Sequence, residues 1–420
     1  MGGSAWSLAL LAAALIVVAA VSRRLAGTPV TPAMVFVGWG LLVGPLVLGG
    51  VDLESTSSTV RVLAEMTLAL VLFSDASRID LRNLGVSLPA RLLGVGLPLT
   101  IALGTVVGVA TLSELSVEEA LILAVVLAPT DAALGVAVVT DPRVPARIRH
   151  GLNVESGLND GICVPLLFAA VALADVHSGI AEGRGAATLL LEEIGYGALG
   201  GVIGGLVVAG IVTHAGRRGL IADSWRQVLP LAGAGLSYGI ASALDGSGFI
   251  AAYCGGMVFR RALGHDPEEL CRLTDEVAEV LNGLTFVLFG AVLLGPILDE
   301  LSWELVLYGV ASLTLVRMLP VAIAMWRSHS SSETVAFVGW FGPRGLASIV
   351  FAVIVVEESR LAHETLITSA IYVTVGLSVL LHGLSAAPLA GRYASWSAGH
   401  RPGAVPSMEA GAAALPRTRR

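Results

Sequence analysis

The sequence predicts an all-α polytopic membrane protein of about thirteen transmembrane helices, arranged as two inverted repeats (helices 1–6 and 8–13) with discontinuous helices 5 and 12. Three observations predict it. The chain is strongly apolar, its arginines alternate from loop to loop, and two of its apolar runs are interrupted at matching positions by a proline and a charge.

Hydrophobic residues make up 55% of the 420 and charged residues 14%, with a mean hydropathy of +0.82, values foreign to a soluble multidomain chain. A span needs about 20 mostly apolar residues. Such runs lie near 5–22, 32–50, 59–74, 86–110, 117–140, 151–175, 186–214, 226–244, 247–260, 275–298, 303–326, 333–356 and 363–391. The first run has the length of a signal peptide. Met1–Ser7 carries no positive charge, however, and Arg23 and Arg24 follow the run instead, so it reads as a retained span. The 50 glycines suit helices that approach closely in lipid. Cys163, Cys254 and Cys271 have neither paired nor metal-ligand spacing, so no cofactor is expected. Membrane lipids are the expected surroundings, and nucleic acid is not an expected partner.

Arginine placement tests the count. Loops after odd-numbered runs hold Arg23 and Arg24; Arg78, Arg82 and Arg91; Arg143, Arg147 and Arg149; Arg217, Arg218 and Arg226; Arg260, Arg261 and Arg272; Arg327; and Arg392. Loops after even-numbered runs hold only Arg61, Arg184 and Arg360 and are otherwise acidic, with Asp52, Glu54, Glu114, Glu118, Glu119, Asp299, Glu300, Glu357 and Glu358. The excess of arginine on one side places the N-terminus outside and the C-terminus in the cytoplasm of a plasma (inner) membrane. Residues 1–395 form the membrane domain. Residues 396–420 read as a short, disordered cytoplasmic tail.

Run five contains Ala128-Pro129-Thr130-Asp131, and run twelve contains Phe341-Gly342-Pro343-Arg344-Gly345. Proline removes a backbone donor and clashes with the preceding turn, so both helices should unwind there. Runs five and twelve are seven apart and therefore oppositely oriented, as inverted repeats require. Paired interrupted helices point to the substrate site of a secondary transporter, and the half-helix ends they expose carry partial charges.

Run six carries Glu155-Ser156-Gly157-Leu158-Asn159-Asp160, two acids in an apolar segment where each costs about 2.5–3.5 kcal/mol to insert. Residues three or four apart share a helix face, so Ser156, Asn159 and Asp160 converge while Glu155 lies beside Asn159. A carboxylate in a partly dry cavity binds a bare monovalent cation or a proton, never both, and competition for one group suffices for exchange. Asp160 is the expected carrier. Ser156, the Thr130 region and carbonyls freed at Pro129 complete an oxygen shell of the kind hard cations prefer, with Asn159 bracing it. Arg344 and Glu155 both need a buried partner, and each is expected to supply the other's. Asp131 supports the helix start after the break or contacts the ion directly. Asp75, at the inner end of run three, reads either as an access-path carboxylate or as a boundary charge. Arg317 reads as snorkelling from the end of run eleven, and Glu65 has no partner legible in the sequence.

Ala128–Asp131, Glu155–Asp160, the Gly246-Ser-Gly-Phe-Ile-Ala-Ala-Tyr-Cys-Gly-Gly256 stretch and Gly339-Trp-Phe-Gly-Pro-Arg-Gly-Leu-Ala347 together resemble the motifs of NhaP-type monovalent cation:proton antiporters. The resemblance spans nearly the whole membrane region. It implies an inverted-repeat fold and homodimers. It also implies a core part (about 86–175 and 301–395) moving against an interface part (about 1–85 and 226–300), with a linker helix at about 186–214. In such proteins Asp160 would carry the ion with Ser156 and Thr130 beside it, Glu155 would pair with Arg344, and the Asn159-Asp160 pair would go with electroneutral exchange. The chain departs at Leu72-Phe73, where family members carry a glutamate next and this chain has Ser74 and then Asp75. Asp75 either takes that role with a one-residue shift or the role is absent. The expected activity is exchange of Na⁺, with Li⁺ and K⁺ as alternatives, for H⁺. The rivals are a passive cation channel and an intramembrane enzyme using Asp131 and Asp160 as a carboxylate pair.

Overall fold

A computed structural model describes residues 2–25, 28–45, 47, 53–79, 88–177, 183–358 and 361–398. Among them every regular element is a helix and there is no strand. The N-terminal helices are α1 (Gly2–Leu25), α2 (Pro32–Val43) and α3 (Leu53–Arg78), followed by α4 (Leu88–Arg91) and α5 (Leu97–Thr111), which a π-helical stretch at Leu92–Gly96 joins. The first interrupted pair is α6 (Val117–Val126) and the one-turn α7 (Val136–Val139), and α8 (Ala146–His177) follows. Next come α9 (Gly183–Arg217), α10 (Asp223–Arg226), α11 (Val228–Ser242), α12 (Gly248–Leu263), α13 (Glu268–Leu288) and α14 (Gly295–Ile297), the last two joined by a π-helical Phe289–Leu294. The C-terminal group is α15 (Trp303–Leu313), α16 (Leu315–Ala324), the second interrupted pair α17 (Ser332–Trp340) and α18 (Leu346–Glu358), and α19 (Glu364–Ala398). The expected tail lies, from residue 399 on, outside the described residues.

Local chemistry accounts for these boundaries. Ser116 and Glu119 form a reciprocal capping box at the start of α6. Thr31, Ser247, Ser302 and Ser331 cap α2, α12, α15 and α17 with their hydroxyls. Each π-helical stretch ends two positions before a proline, Pro98 or Pro296, whose ring would clash with the carbonyl four residues earlier in a regular helix. Gly264 ends α12 in the left-handed region at φ 76°.

Each apolar run read from the sequence falls on a helix or on two helices meeting at a break. Seven helical stretches among the described residues are long and apolar enough to cross a membrane: Trp6–Leu25, Leu88–Thr111, Ala146–His177, Ala187–Arg217, Glu268–Glu300, Trp303–Ala324 and Glu364–Ala398. Helix α9 packs along α11 and α12 through a glycine seam. A Cβ on Gly201 would run into the Ala251 carbonyl, and one on Gly204 into Ser237. Helix α8 lies at the centre, touched by α3, α6, α7, α9, α12 and α18.

Candidate functional site

The two breaks meet beside α8. Residues 341–345 are non-helical, and residues 127–135 carry only turns between α6 and α7. They cross backbone to backbone, the Asp131 N–H donating to the Pro343 carbonyl at 2.8 Å. Their charges are exchanged. Arg344, from the second break, donates through Nη1 to the carbonyls of Ala128 (2.8 Å) and Pro129 (3.1 Å), beyond the C-terminal end of α6. Asp131, from the first break, accepts from the Leu346 N–H at the start of α18 (3.1 Å) and from Ala133 N–H (2.8 Å). A cation therefore sits at a helix C-terminus and an anion at a helix N-terminus, each opposing the partial charge it faces. Asp131 does support a helix start, but that of α18 and not of its own span. The chain permits this because Gly345 has no side chain: a Cβ there would occupy the place of the Asp131 carboxylate. The Ser348 hydroxyl donates to the Val126 carbonyl at 2.8 Å and ties the two half-helices together.

Helix α8 brings the polar residues to this crossing, all buried: Glu155, Ser156, Asn159 and Asp160. The Ser156 hydroxyl donates to the Thr130 carbonyl and accepts from the Ala132 N–H at 2.9 Å. Asn159 donates through Nδ2 to the Thr130 hydroxyl at 2.8 Å. Thr130 is thus held by Ser156 and Asn159 over the turn of α8 that also carries Asp160. Two acceptors are left over: Asp160 Oδ1 and Asn159 Oδ1 are buried without a hydrogen-bond partner among the described residues. The ring of Tyr253, in α12, covers Gly161, where a Cβ would strike it.

One expected pair is not formed. Glu155 pairs with Arg317, not Arg344: Arg317 Nη1 and Nη2 reach Oε1 and Oε2 at 2.6 and 3.0 Å, with both side chains buried. This two-pronged geometry uses both carboxylate oxygens. Arg317 passes Gly342, where a Cβ would collide with its guanidinium. It is therefore a buried member of the site and not a snorkelling boundary residue. Arg344 is drawn instead to carbonyls that the break at Pro129 releases from helical bonding.

Asp75 is half-buried against α8, its carboxylate facing Gly157 one turn from Asp160. Ser74 turns the other way and donates to Asp275 of α13 at 2.5 Å, while Arg78 pairs with the same carboxylate. Consecutive helical residues point about 100° apart, so on this helix position 75 and not 74 faces the site. Glu65 bonds Arg61 one turn away and the Tyr238 hydroxyl, at 2.8 and 3.2 Å. Sequence reasoning placed Arg317 at the boundary and gave no role to Ser348, whose hydroxyl ties the half-helices, nor to Ser378 and His382 of α19, which contact the Arg344 N–H and the Trp340 carbonyl. An arginine in the apolar run of α16 and a histidine in that of α19 were the available signals.

The family model described as sodium/hydrogen exchanger, transmembrane, matches residues 10–392. The K⁺/H⁺ antiporter NhaP2 of Shewanella sp. (strain MR-4) is 27% identical over 396 residues, covering 90% of this chain and 64% of that protein. The K⁺/H⁺ antiporter NhaP of Alkalimonas amylolytica is 25% identical over 382 residues, covering 89% and 64%. The chain thus spans 64% of the length of these curated relatives. The sodium proton antiporter MjNhaP1 of Methanocaldococcus jannaschii at pH 8 superposes with a TM-score of 0.76 at 18% identity, covering 94% of this chain and 98% of that one, which establishes a shared fold.

Proposed function

The chain belongs to the transmembrane sodium/hydrogen exchanger family, whose members are transporters and not enzymes, and from that premise we propose that it exchanges a monovalent cation for H⁺ by alternating access around Asp160. The observation that carries this reading is the pair of orphaned acceptors, Asp160 Oδ1 and Asn159 Oδ1, buried on the turn of α8 from which Ser156 and the Asn159 amide hold Thr130. Buried acceptors without donors are costly. A bare alkali cation satisfies several of them at once, and a proton satisfies the carboxylate alone.

The charges at the crossing are each answered. Glu155 neutralises Arg317, and Arg344 and Asp131 each neutralise a half-helix end. Asp160 is left as the charge that one cation or one proton can discharge, with Asp131 bracing the break and Asp75 on the approach as a third acid. An empty carboxylate is expensive to carry past the lipid-facing barrier. Only the two neutralised forms would cross, which makes exchange obligatory, one for one and electroneutral, and Asn159 adds no second charge. In this reading the thirteen-span inverted repeat divides into the core and interface parts set out above with α9 as linker. Two copies associate in a plasma (inner) membrane with the N-terminus outside and the C-terminus cytoplasmic.

Na⁺ remains the first candidate, with Li⁺ and K⁺ the alternatives, and K⁺ gains weight from the names of the two bacterial relatives. The test is purified protein in proteoliposomes with an internal pH dye, to which NaCl, LiCl and KCl are added separately. Cation-driven pH change that persists with the membrane potential clamped at zero supports the reading. No response to any of the three, or sustained current in a planar bilayer, would overturn it.

A further inference from the structure

The second break is not left to hold its own shape. Helix α19 runs past it unbroken, and one stripe of that helix, Ser378, His382 and Ser385, grips both sides of the gap. On the α17 side, His382 Nε2 lies 2.9 Å from the Trp340 carbonyl, and Trp340 Nε1 donates to the Ser385 hydroxyl at 2.9 Å. The Trp340 indole also lies over the His382 ring, with centroids 5.0 Å apart. On the α18 side, the Arg344 N–H donates to the Ser378 hydroxyl at 2.7 Å. Ser378 and His382 are themselves joined, hydroxyl to Nδ1, at 3.2 Å, and both are fully buried.

Donor logic limits where the hydrogens lie. A carbonyl only accepts, and each ring nitrogen of His382 faces one, Nε2 the Trp340 carbonyl at 2.9 Å and Nδ1 the Ser378 carbonyl at 3.1 Å; the tautomer with its hydrogen on Nε2 donates to Trp340 and leaves Nδ1 to accept from the Ser378 hydroxyl. The Ser378 oxygen accepts from Arg344 and is free to pass its own hydrogen to Nδ1. In that tautomer a directed chain, Arg344 N–H to Ser378 to His382 to the Trp340 carbonyl, bridges Trp340 and Arg344 across the non-helical segment 341–345.

We propose that Ser378 and His382 are positioning residues for cation binding, a splint that sets the second break and, through it, the oxygen shell at the first. The route is short. The splint fixes the Arg344 backbone, the Arg344 guanidinium holds the Ala128 and Pro129 carbonyls, and the next residue, Thr130, carries the oxygens that Ser156 and Asn159 grip. Residues 378–385 of α19, ahead of Pro388, are regular helix and stiffer than a non-helical crossing, so this stretch supplies a rigidity the break cannot supply itself. The inference rests on the exchange reading above and adds two residues to it, neither of which touches the ion.

The experiment compares wild type with Ser378→Ala, Ser378→Thr, His382→Ala and His382→Gln in proteoliposomes, titrating NaCl and KCl. In parallel, the detergent-solubilised proteins are melted over the same salt series. Ser378→Ala and His382→Ala should raise the half-saturating cation concentration about fivefold or more, with a smaller change in the rate at saturation. They should raise by a like factor the concentration needed for cation-induced thermal stabilisation. Ser378→Thr keeps the hydroxyl, and His382→Gln keeps an N–H where Nε2 carries one; both should recover most of the affinity. A role in packing alone lowers the melting temperature without moving the cation dependence. Wild-type half-saturation in both alanine variants, or His382→Gln no better than His382→Ala, overturns the splint and leaves the exchange reading standing. Absence of any cation response in the wild type overturns the exchange reading itself.

Discussion

The two interruptions share a sequence recipe, proline with a charge and small neighbours, yet the fold gives them different work. The first, at 127–135, faces α8 and lends its oxygens, with Thr130 held by Ser156 and Asn159. After it the chain makes only the four-residue α7. The second, at 341–345, faces α6 and α19 and lends a cation, after which the chain resumes as α18 over Leu346–Glu358. In the proposed exchange one break is a ligand surface and the other a brace. The difference follows from what each proline exposes: carbonyls beyond α6, which suit Arg344, and N–H groups at the start of α18, which suit Asp131. An unwound segment is thus half a device, completed by the opposite charge of its counterpart.

The sharpest way to break this comparison is at the residue both interruptions serve. Asp160→Asn should abolish exchange, a loss of at least about a hundredfold in proteoliposome flux, while the protein still inserts and elutes as the wild type does in size-exclusion chromatography. Retained exchange would remove Asp160 from the central role.

Next in size are the buried charges. Glu155→Ala and Arg317→Ala should each destabilise the detergent-solubilised protein by about 3–5 kcal/mol, because the partner is left buried and alone. Their double variant should lose much less than the sum. The same cycle run with Glu155 and Arg344 should give far weaker coupling, and equal coupling in the two cycles would dissolve the distinction between pair and brace.

Thr130→Val, which keeps the shape of the first break but deletes its hydroxyl, should raise the half-saturating cation concentration several-fold, and Thr130→Ser should restore it. A drop in stability without a change in apparent affinity would make the first break a brace as well. Asp131→Asn is a smaller perturbation. It keeps an acceptor for the α18 N–H and removes the charge, so stability should fall by about 1–2 kcal/mol in thermal melts with exchange reduced but present. Asp75→Asn should have the smallest effect, a two- to threefold loss of apparent cation affinity measured by the same titration, since that carboxylate lies a turn away against Gly157.

Much of this was legible in the chain. Helix positions, both breaks and the polar turn of α8 rest on properties a dozen neighbouring residues share: apolar run length, a proline, and the spacing of Ser156, Asn159 and Asp160. Asp75 was legible as a residue and not as a direction, since only the packing of α3 shows that Ser74 turns to Asp275 while Asp75 turns to α8. The partner of Glu155 was not legible. Two arginines are available, and Arg344, the more deeply placed in its apolar run, is outcompeted for the carboxylate by Arg317, 162 positions from Glu155 and near the end of its own run.

The sequence by itself determined a family, an all-helical membrane chain and the few residues able to carry charge inside it, because composition and short-range spacing are local and survive without a fold. Only the tertiary structure decided which of those charges answer one another. A guanidinium in a dry interior takes whichever acceptors are within reach, and reach was set here by the bare backbone of Gly342 and Gly345, by carbonyls loosened at Pro129, and by an unbroken helix laid across a gap.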